Sequence, residues 1–121
     1  MMRLFSAAVL AFLLATPAYA ETQWFVGARG TLPGNAGSFA LQACSSYNDW
    51  ARFESLRYLQ YDAEAAVKFI DQHCPTTLTG RVIVEQIARA PNGIQLIGLC
   101  LRPMGSPAGC LWLDSSWVKP D

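Results

Sequence analysis

Histidine is scarce in this 121-residue chain, which contains His73 alone. Zinc sites that need two or three imidazole ligands are therefore excluded, and a catalytic dyad would have only this one histidine. His73 adjoins Cys74, but adjacent residues of a helix do not face each other, so a Cys-His pair is not expected. We predict that His73 lies on the surface at a helix C-terminus, where the helix dipole favours positive charge.

Other catalytic signatures are also missing. The sequence has no Cys-x-x-Cys, which argues against a thiol oxidoreductase, and no Gly-x-Ser-x-Gly nucleophile elbow. The glycine-rich segment 27–37 lacks the lysine of a phosphate-binding loop, so we predict a plain connection there. These absences predict a protein that is not an enzyme and that uses no cofactor or metal.

Acidic residues leave one catalytic alternative open. Glu54, Asp62, Glu85 and Asp114 could supply two carboxylates for acid–base hydrolysis. Their spacing does not single out a pair, and nine acidic residues are ordinary in a chain of this length. A small carboxylate-dependent hydrolase is therefore the alternative to a non-enzymatic protein.

Net charge is low, because nine Lys or Arg balance nine Asp or Glu. Removal of the first 20 residues takes Arg3 away and leaves eight basic against nine acidic residues. Nucleic acids and anionic membranes both attract basic patches, so we predict no nucleic-acid partner.

Long apolar runs are confined to the start of the chain. Arg3 precedes an apolar run from Leu4 to Ala15, and Ala18-Tyr19-Ala20 follows it. This is the layout of a secretory signal peptide, and the run is shorter than the roughly 20 apolar residues that span a bilayer. We predict a cleaved signal at 1–20 and one periplasmic or secreted domain at 21–121, with no membrane span after cleavage.

The four cysteines all follow the predicted signal peptide. An even number in a small exported domain indicates two disulfides, and four cysteines allow three pairings. We favour Cys44–Cys74, which would join two predicted helices, and Cys100–Cys110, which lie on either side of a predicted turn between strands.

Helical spacing is clearest from Asn48 to Cys74. Apolar residues recur every three or four positions at Leu56, Leu59, Ala63, Ala66, Val67, Ile70 and Cys74. We predict one long helix with this stripe buried. Since Asp62 is a good N-cap, two separate helices are the alternative. A shorter helix is predicted from Ser38 to Cys44.

The second half of the chain is rich in β-formers. Three runs have strand character: Arg81–Ile87, Ile94–Leu101 and Cys110–Leu113. Pro91-Asn92-Gly93 is a strong hairpin signal between the first two. A helix over Leu78–Ala90 is the alternative, and Thr22–Val26 could add an edge strand. We predict an α+β domain whose helical N-terminal half packs on a small three-stranded antiparallel β meander, with two disulfides joining its parts.

Aromatic residues suggest a contact surface. Tyr58 and Tyr61 lie three residues apart, away from the apolar stripe, and Arg57 adjoins them. Because tyrosine and arginine are frequent in binding hot spots, we predict a partner-binding surface at Arg57, Tyr58 and Tyr61. In the alternative arrangement, Trp24 and Phe25 fold over the tyrosines as a minor core.

The region from Cys44 to Cys74-Pro75 and Thr79 resembles immunity proteins of type VI amidase effectors. The likeness stops at Pro91-Asn92-Gly93, where those proteins have further helices, so no residue role is transferred. We predict an exported binding, inhibitor, immunity or envelope-accessory module whose partner is another envelope or secreted protein. A purely structural envelope component is a further alternative.

Overall fold

The computed structural model describes residues 24–34 and 41–121. The predicted signal peptide and the start of the helix predicted at Ser38 lie outside them. The elements in chain order are β1 (Arg29–Leu32), β2 (Leu41–Ala43), α1 (Tyr47–Tyr58), α2 (Ala63–His73), β3 (Thr76–Leu78), β4 (Gly80–Arg89), β5 (Ile97–Pro103), β6 (Leu111–Asp114), a 3-10 helix (Ser115–Trp117) and β7 (Lys119–Pro120). This is a mixed α+β fold, but its helices lie between β2 and β3 and do not form an N-terminal half.

The main sheet is antiparallel, with strand order β6-β5-β4-β1-β7. The predicted meander is present as β4, β5 and β6, so a helix over Leu78–Ala90 is excluded. The predicted number of strands was wrong, because β1 and β7 extend the sheet from three strands to five. β1 lies in the segment predicted as a loop. A Cβ at Gly30 would come within 2.6 Å of the Val118 side chain, so glycine lets β1 approach β7 closely.

A second, two-stranded sheet pairs β2 with β3. The helix predicted from Ser38 to Cys44 is therefore wrong over Leu41–Ala43. Leu41 and Ala43 are buried and Gln42 between them is not, which is the alternation of a strand. Cys44 and Trp112 exchange two backbone hydrogen bonds of 3.0 and 2.6 Å, which attach the small sheet to the edge strand β6.

Two helices replace the single helix predicted from Asn48 to Cys74. Asp62 accepts a 3.0 Å hydrogen bond from the Ala65 backbone N–H and caps α2, while Tyr61 takes a left-handed φ of 50° between the helices. The break divides the predicted stripe. Leu56, Ala66 and Cys74 are buried, but Leu59 and Val67 are exposed.

Both predicted disulfides are present, Cys44–Cys74 and Cys100–Cys110. The first joins the residue after β2 to the end of α2, and the second joins β5 to the segment before β6. Bonds that close loops of this size each stabilise a fold by about 2–4 kcal/mol.

Trp50 anchors the helical layer to the main sheet. Its ring lies against Gly98 of β5, where an added Cβ would meet it at 2.6 Å. It also stacks on Trp112 of β6, with ring centroids 6.2 Å apart. Around these rings pack Cys44, Cys74 and Cys100, so this buried cluster joins the helices, the disulfides and the sheet.

The N-terminal part of the described chain does not form the edge strand predicted at Thr22–Val26, since Trp24–Val26 are outside any strand. Trp24 packs against the main-sheet core, and Phe25 is 65% exposed. No helix in the described ranges is long and apolar enough to cross a membrane.

Candidate functional site

A cleft of about 320 Å³ lies between the helices and the β6 end of the sheet. Its polar and aromatic lining includes Trp50, Glu54 and Arg57 of α1, Trp112 and Asp114 of β6, and Trp117 of the 3-10 helix. A wider groove of about 580 Å³ runs beside Trp24 and Val118, but the charged residues that line it are exposed. The smaller cleft is therefore the better candidate site, because it contains buried acidic groups.

Glu54 is the most perturbed group in the cleft. Its side chain is 1% exposed, and burial raises the pKa of this carboxyl to about 7. The Arg57 guanidinium, whose Nη1 lies 3.2 Å from Oε1, lowers the pKa in part, while nearby Asp114 raises it. Glu54 is thus about half protonated near neutral pH and can donate as well as accept a hydrogen bond.

Asp114 is the second buried acid, with 5% exposure, and no other charged residue of the described ranges is buried. Its Oδ1 accepts a 3.0 Å hydrogen bond from the Ser116 backbone N–H, which caps the 3-10 helix. The fold thus brings Glu54 and Asp114, which are sixty positions apart, to one cleft.

Trp50 contributes a buried donor. Its Nε1 meets no acceptor within strict hydrogen-bond geometry, but the indole N–H interacts with the Glu54 carboxyl and lowers the pKa of that group.

Arg57 connects the cleft to the predicted contact surface. It donates from Nη1 to Glu54 and from Nη2 to the Tyr58 hydroxyl, both at 3.2 Å. Its guanidinium also lies 5.4 Å from the Phe53 ring centroid and 4.8 Å from that of Tyr58. These contacts hold a half-exposed side chain in one orientation.

The other two predicted contact residues are exposed. Tyr58 is 39% and Tyr61 83% exposed, and Leu59 between them is also exposed. The structure brings Arg57 and Tyr58 together and places Tyr61 three residues further on, in the connection to α2. We call Arg57, Tyr58 and Tyr61 the tyrosine patch.

The remaining sequence candidates are not in the cleft. Asp62 is a helix cap, and Glu85 pairs with Arg102 at 2.6 Å across β4 and β5. His73 is exposed at the end of α2, as predicted, and stacks on Phe69. Sequence reasoning included Glu54 and Asp114 among four acids but missed their pairing and missed Trp50. The high tryptophan content of the sequence was the only signal that could have pointed to Trp50.

Comparison of the chain with protein-family models, with curated proteins and with solved structures finds no match. Within the described residues, no three His, Cys, Asp or Glu side chains are grouped to hold a metal ion.

Proposed function

We propose that this is an exported, non-enzymatic binding module, of the inhibitor, immunity or envelope-accessory kind, whose protein partner contacts the tyrosine patch. Two disulfides suit an oxidising compartment such as the periplasm or the extracellular space.

Tyr61 carries the proposal. It has a φ of 50° and is 83% exposed. A left-handed conformation costs a residue with a side chain roughly 1–2 kcal/mol, and glycine would avoid that cost. Tyr61 gains little burial in return. A side chain retained in solvent at such a cost supports a role in contacting a partner.

Arg57 and Tyr58 supply the rest of the contact. Their stacking and hydrogen bond restrict both side chains before any partner arrives. Restricting side chains in advance lowers the entropy lost on binding, which is about 0.5–1.5 kcal/mol for each flexible side chain. Arginine and tyrosine are also enriched among hot-spot residues.

Site-specific photo-crosslinking in intact cells tests this proposal. A crosslinking amino acid at position 58 or 61 should yield an adduct with one partner. The same amino acid at Lys68, an exposed position on α2, should not. With the captured partner, Tyr58→Ala and Tyr61→Ala should each weaken binding by about 1–2 kcal/mol and leave stability nearly intact. Loss of stability without loss of affinity would refute the proposal.

A carboxylate-dependent hydrolase is the second candidate, favoured by the shared cleft of Glu54 and Asp114. A protonated Glu54 could act as a general acid. The floor of the cleft is nearly closed, since the two acids are only 1% and 5% exposed, which favours the binding module. Hydrolysis of a glycoside substrate that is abolished by both Glu54→Gln and Asp114→Asn would reverse this ranking.

A further inference from the structure

A chain of hydrogen bonds connects the buried floor of the cleft to the tyrosine patch. The Glu54 carboxyl is 1% exposed and accepts from Arg57 Nη1, while Arg57 Nη2 donates to the Tyr58 hydroxyl. The Arg57 guanidinium also lies over the Tyr58 ring, 4.8 Å from its centroid. The orientation of two side chains of the patch therefore depends on one buried carboxyl.

Two acids share one cation in the cleft. Of the described residues that line it, only Glu54, Asp114 and Arg57 are charged. At the rim, Asp71 of α2 is exposed and accepts a 3.0 Å hydrogen bond from Gln42. Asp114 faces Glu54 from β6 and is itself 5% exposed. Two buried acids beside one cation favour the uptake of a proton, because a like charge and burial both disfavour the ionised form.

We propose that uptake of one proton by Glu54 releases Arg57 from Tyr58, so that acidification loosens the tyrosine patch. Ionised Glu54 holds the guanidinium by attraction between opposite charges and by a hydrogen bond, whereas the protonated carboxyl retains only the hydrogen bond. The Arg57 side chain is 37% exposed, so water can solvate the guanidinium when the ion pair is lost. When Arg57 turns towards solvent, its hydrogen bond and its ring contact with Tyr58 are both broken.

The proton is taken up close to neutral pH. Burial raises the pKa of Glu54 to about 7, Asp114 raises it further, and Arg57 opposes them in part. Most of the change in protonation then falls within about one pH unit of 7. The patch is ordered on the alkaline side of this range and loosened on the acidic side.

The consequence for a partner rests on the proposed function. An ordered patch loses less conformational entropy on binding, and an ionised Glu54 compensates the charge of Arg57 when a partner covers it. Acidification should therefore weaken partner binding. A partner that presents a carboxylate to Arg57 is the competing case, because it would replace Glu54 as the counter-ion and bind more tightly in acid.

NMR of the oxidised protein alone, from pH 4.5 to pH 8.5, tests the proton-dependent release. The signals followed are the Arg57 Nε–H group and the Tyr58 ring, and both should show one transition with a midpoint at about 7. The order parameter of Arg57 Nε should fall below about 0.6 on the acidic side. Arg52, an exposed arginine of the same helix, and Tyr61, which is 83% exposed, are the internal controls and should lack this transition.

Three variants assign the transition to the cleft. Glu54→Gln removes the titrating group and should abolish the transition. Asp114→Asn keeps an oxygen that can cap the 3-10 helix but removes the neighbouring negative charge, so it should move the midpoint to lower pH. Glu85→Gln, an ion-paired acid on the sheet, is the matched control and should titrate as the wild type does. If Glu54→Gln does not fold, the lower midpoint of Asp114→Asn decides the test.

The proposal would be overturned by the absence of a transition at Arg57 and Tyr58, by an equal transition at Arg52, or by a transition that persists in Glu54→Gln. With the partner captured by crosslinking, wild-type affinity should be at least about threefold lower at about pH 5.5 than at about pH 8, and Glu54→Gln should lack this difference. Tighter binding in acid would overturn the stated direction and indicate a partner carboxylate.

The two proposals fail separately. A transition at Arg57 and Tyr58 without any captured partner would support the proton-dependent release and count against the proposed function. Capture of a partner at position 58 or 61 without a transition would support the proposed function and overturn the release.

Discussion

Burial of Glu54 should make this protein less stable as the pH rises towards neutrality. The folded-state pKa of about 7 lies above the ordinary value of 4.5. Between these two values the unfolded chain has already released the proton while the folded protein retains it. The unfolded state then binds fewer protons, so the free energy of unfolding falls by up to about 1.4 kcal/mol per pH unit.

The contribution of Glu54 is fully present below pH 4.5, is lost as the pH rises to about 7, and is constant above that. Its total is of the order of 3 kcal/mol, obtained from the pKa difference at 1.36 kcal/mol per unit. Glu54→Gln removes the titration but keeps the shape and an acceptor for Arg57. Above pH 7, we expect the variant to be more stable than the wild type by about 1–3 kcal/mol.

Urea denaturation from pH 4.5 to pH 8.5, with disulfides intact, measures this effect. The difference between wild type and Glu54→Gln isolates the titration of Glu54 together with its coupling to Asp114 and Arg57. Glu85→Gln, which removes a partly exposed acid on the sheet, is the matched control and should follow the wild type. Parallel pH profiles for wild type and Glu54→Gln would refute the argument, as would a variant less stable than wild type at pH 8.

Three further predictions concern other parts of the fold. Gly98→Ala should destabilise the protein by roughly 1–3 kcal/mol in thermal melts, because its Cβ would meet the Trp50 ring at 2.6 Å. Gly109→Ala has open space and should change the melting temperature little, so equal shifts would contradict the packing described. Tyr61→Gly should raise stability by roughly 0.5–1 kcal/mol in urea melts, because glycine adopts the left-handed backbone conformation without the steric cost that tyrosine has there. The same change should weaken partner binding, and a destabilised variant would contradict the prediction. Ile70→Asp should lower the melting temperature far more than Lys68→Ala, because Ile70 packs against the cluster around Trp50 while Lys68 is exposed. Equal shifts would show that the other face of α2 is the buried one.

The local sequence was sufficient to predict several features of the fold. The turn residues Asn92 and Gly93 both take positive φ values between β4 and β5, as their preference for such turns implies. The same hairpin logic predicted Cys100–Cys110. Asp62 caps a helix as its side chain suggests, although the prediction preferred one long helix. The prediction of one long helix was wrong because the helical spacing of apolar residues continues across Tyr61, where the backbone leaves the helical conformation.

Tertiary structure decided the extra strands and the site. β1 is a glycine-containing segment that becomes a strand because β4 and β7 satisfy its backbone groups from both sides. β2 is only three residues long, and its pairing with β3 decides its conformation.

Glu54 and Asp114 line one cleft because α1 packs against the main sheet, with the Trp50 ring over Gly98. The sequence by itself determined the disulfides, the hairpin and the helix cap, since each depends on residues near one another in the chain or on a simple count. The cleft depends on contacts between residues far apart in the chain, which arise only when the two layers pack, and burial by that packing is what raises the pKa of Glu54.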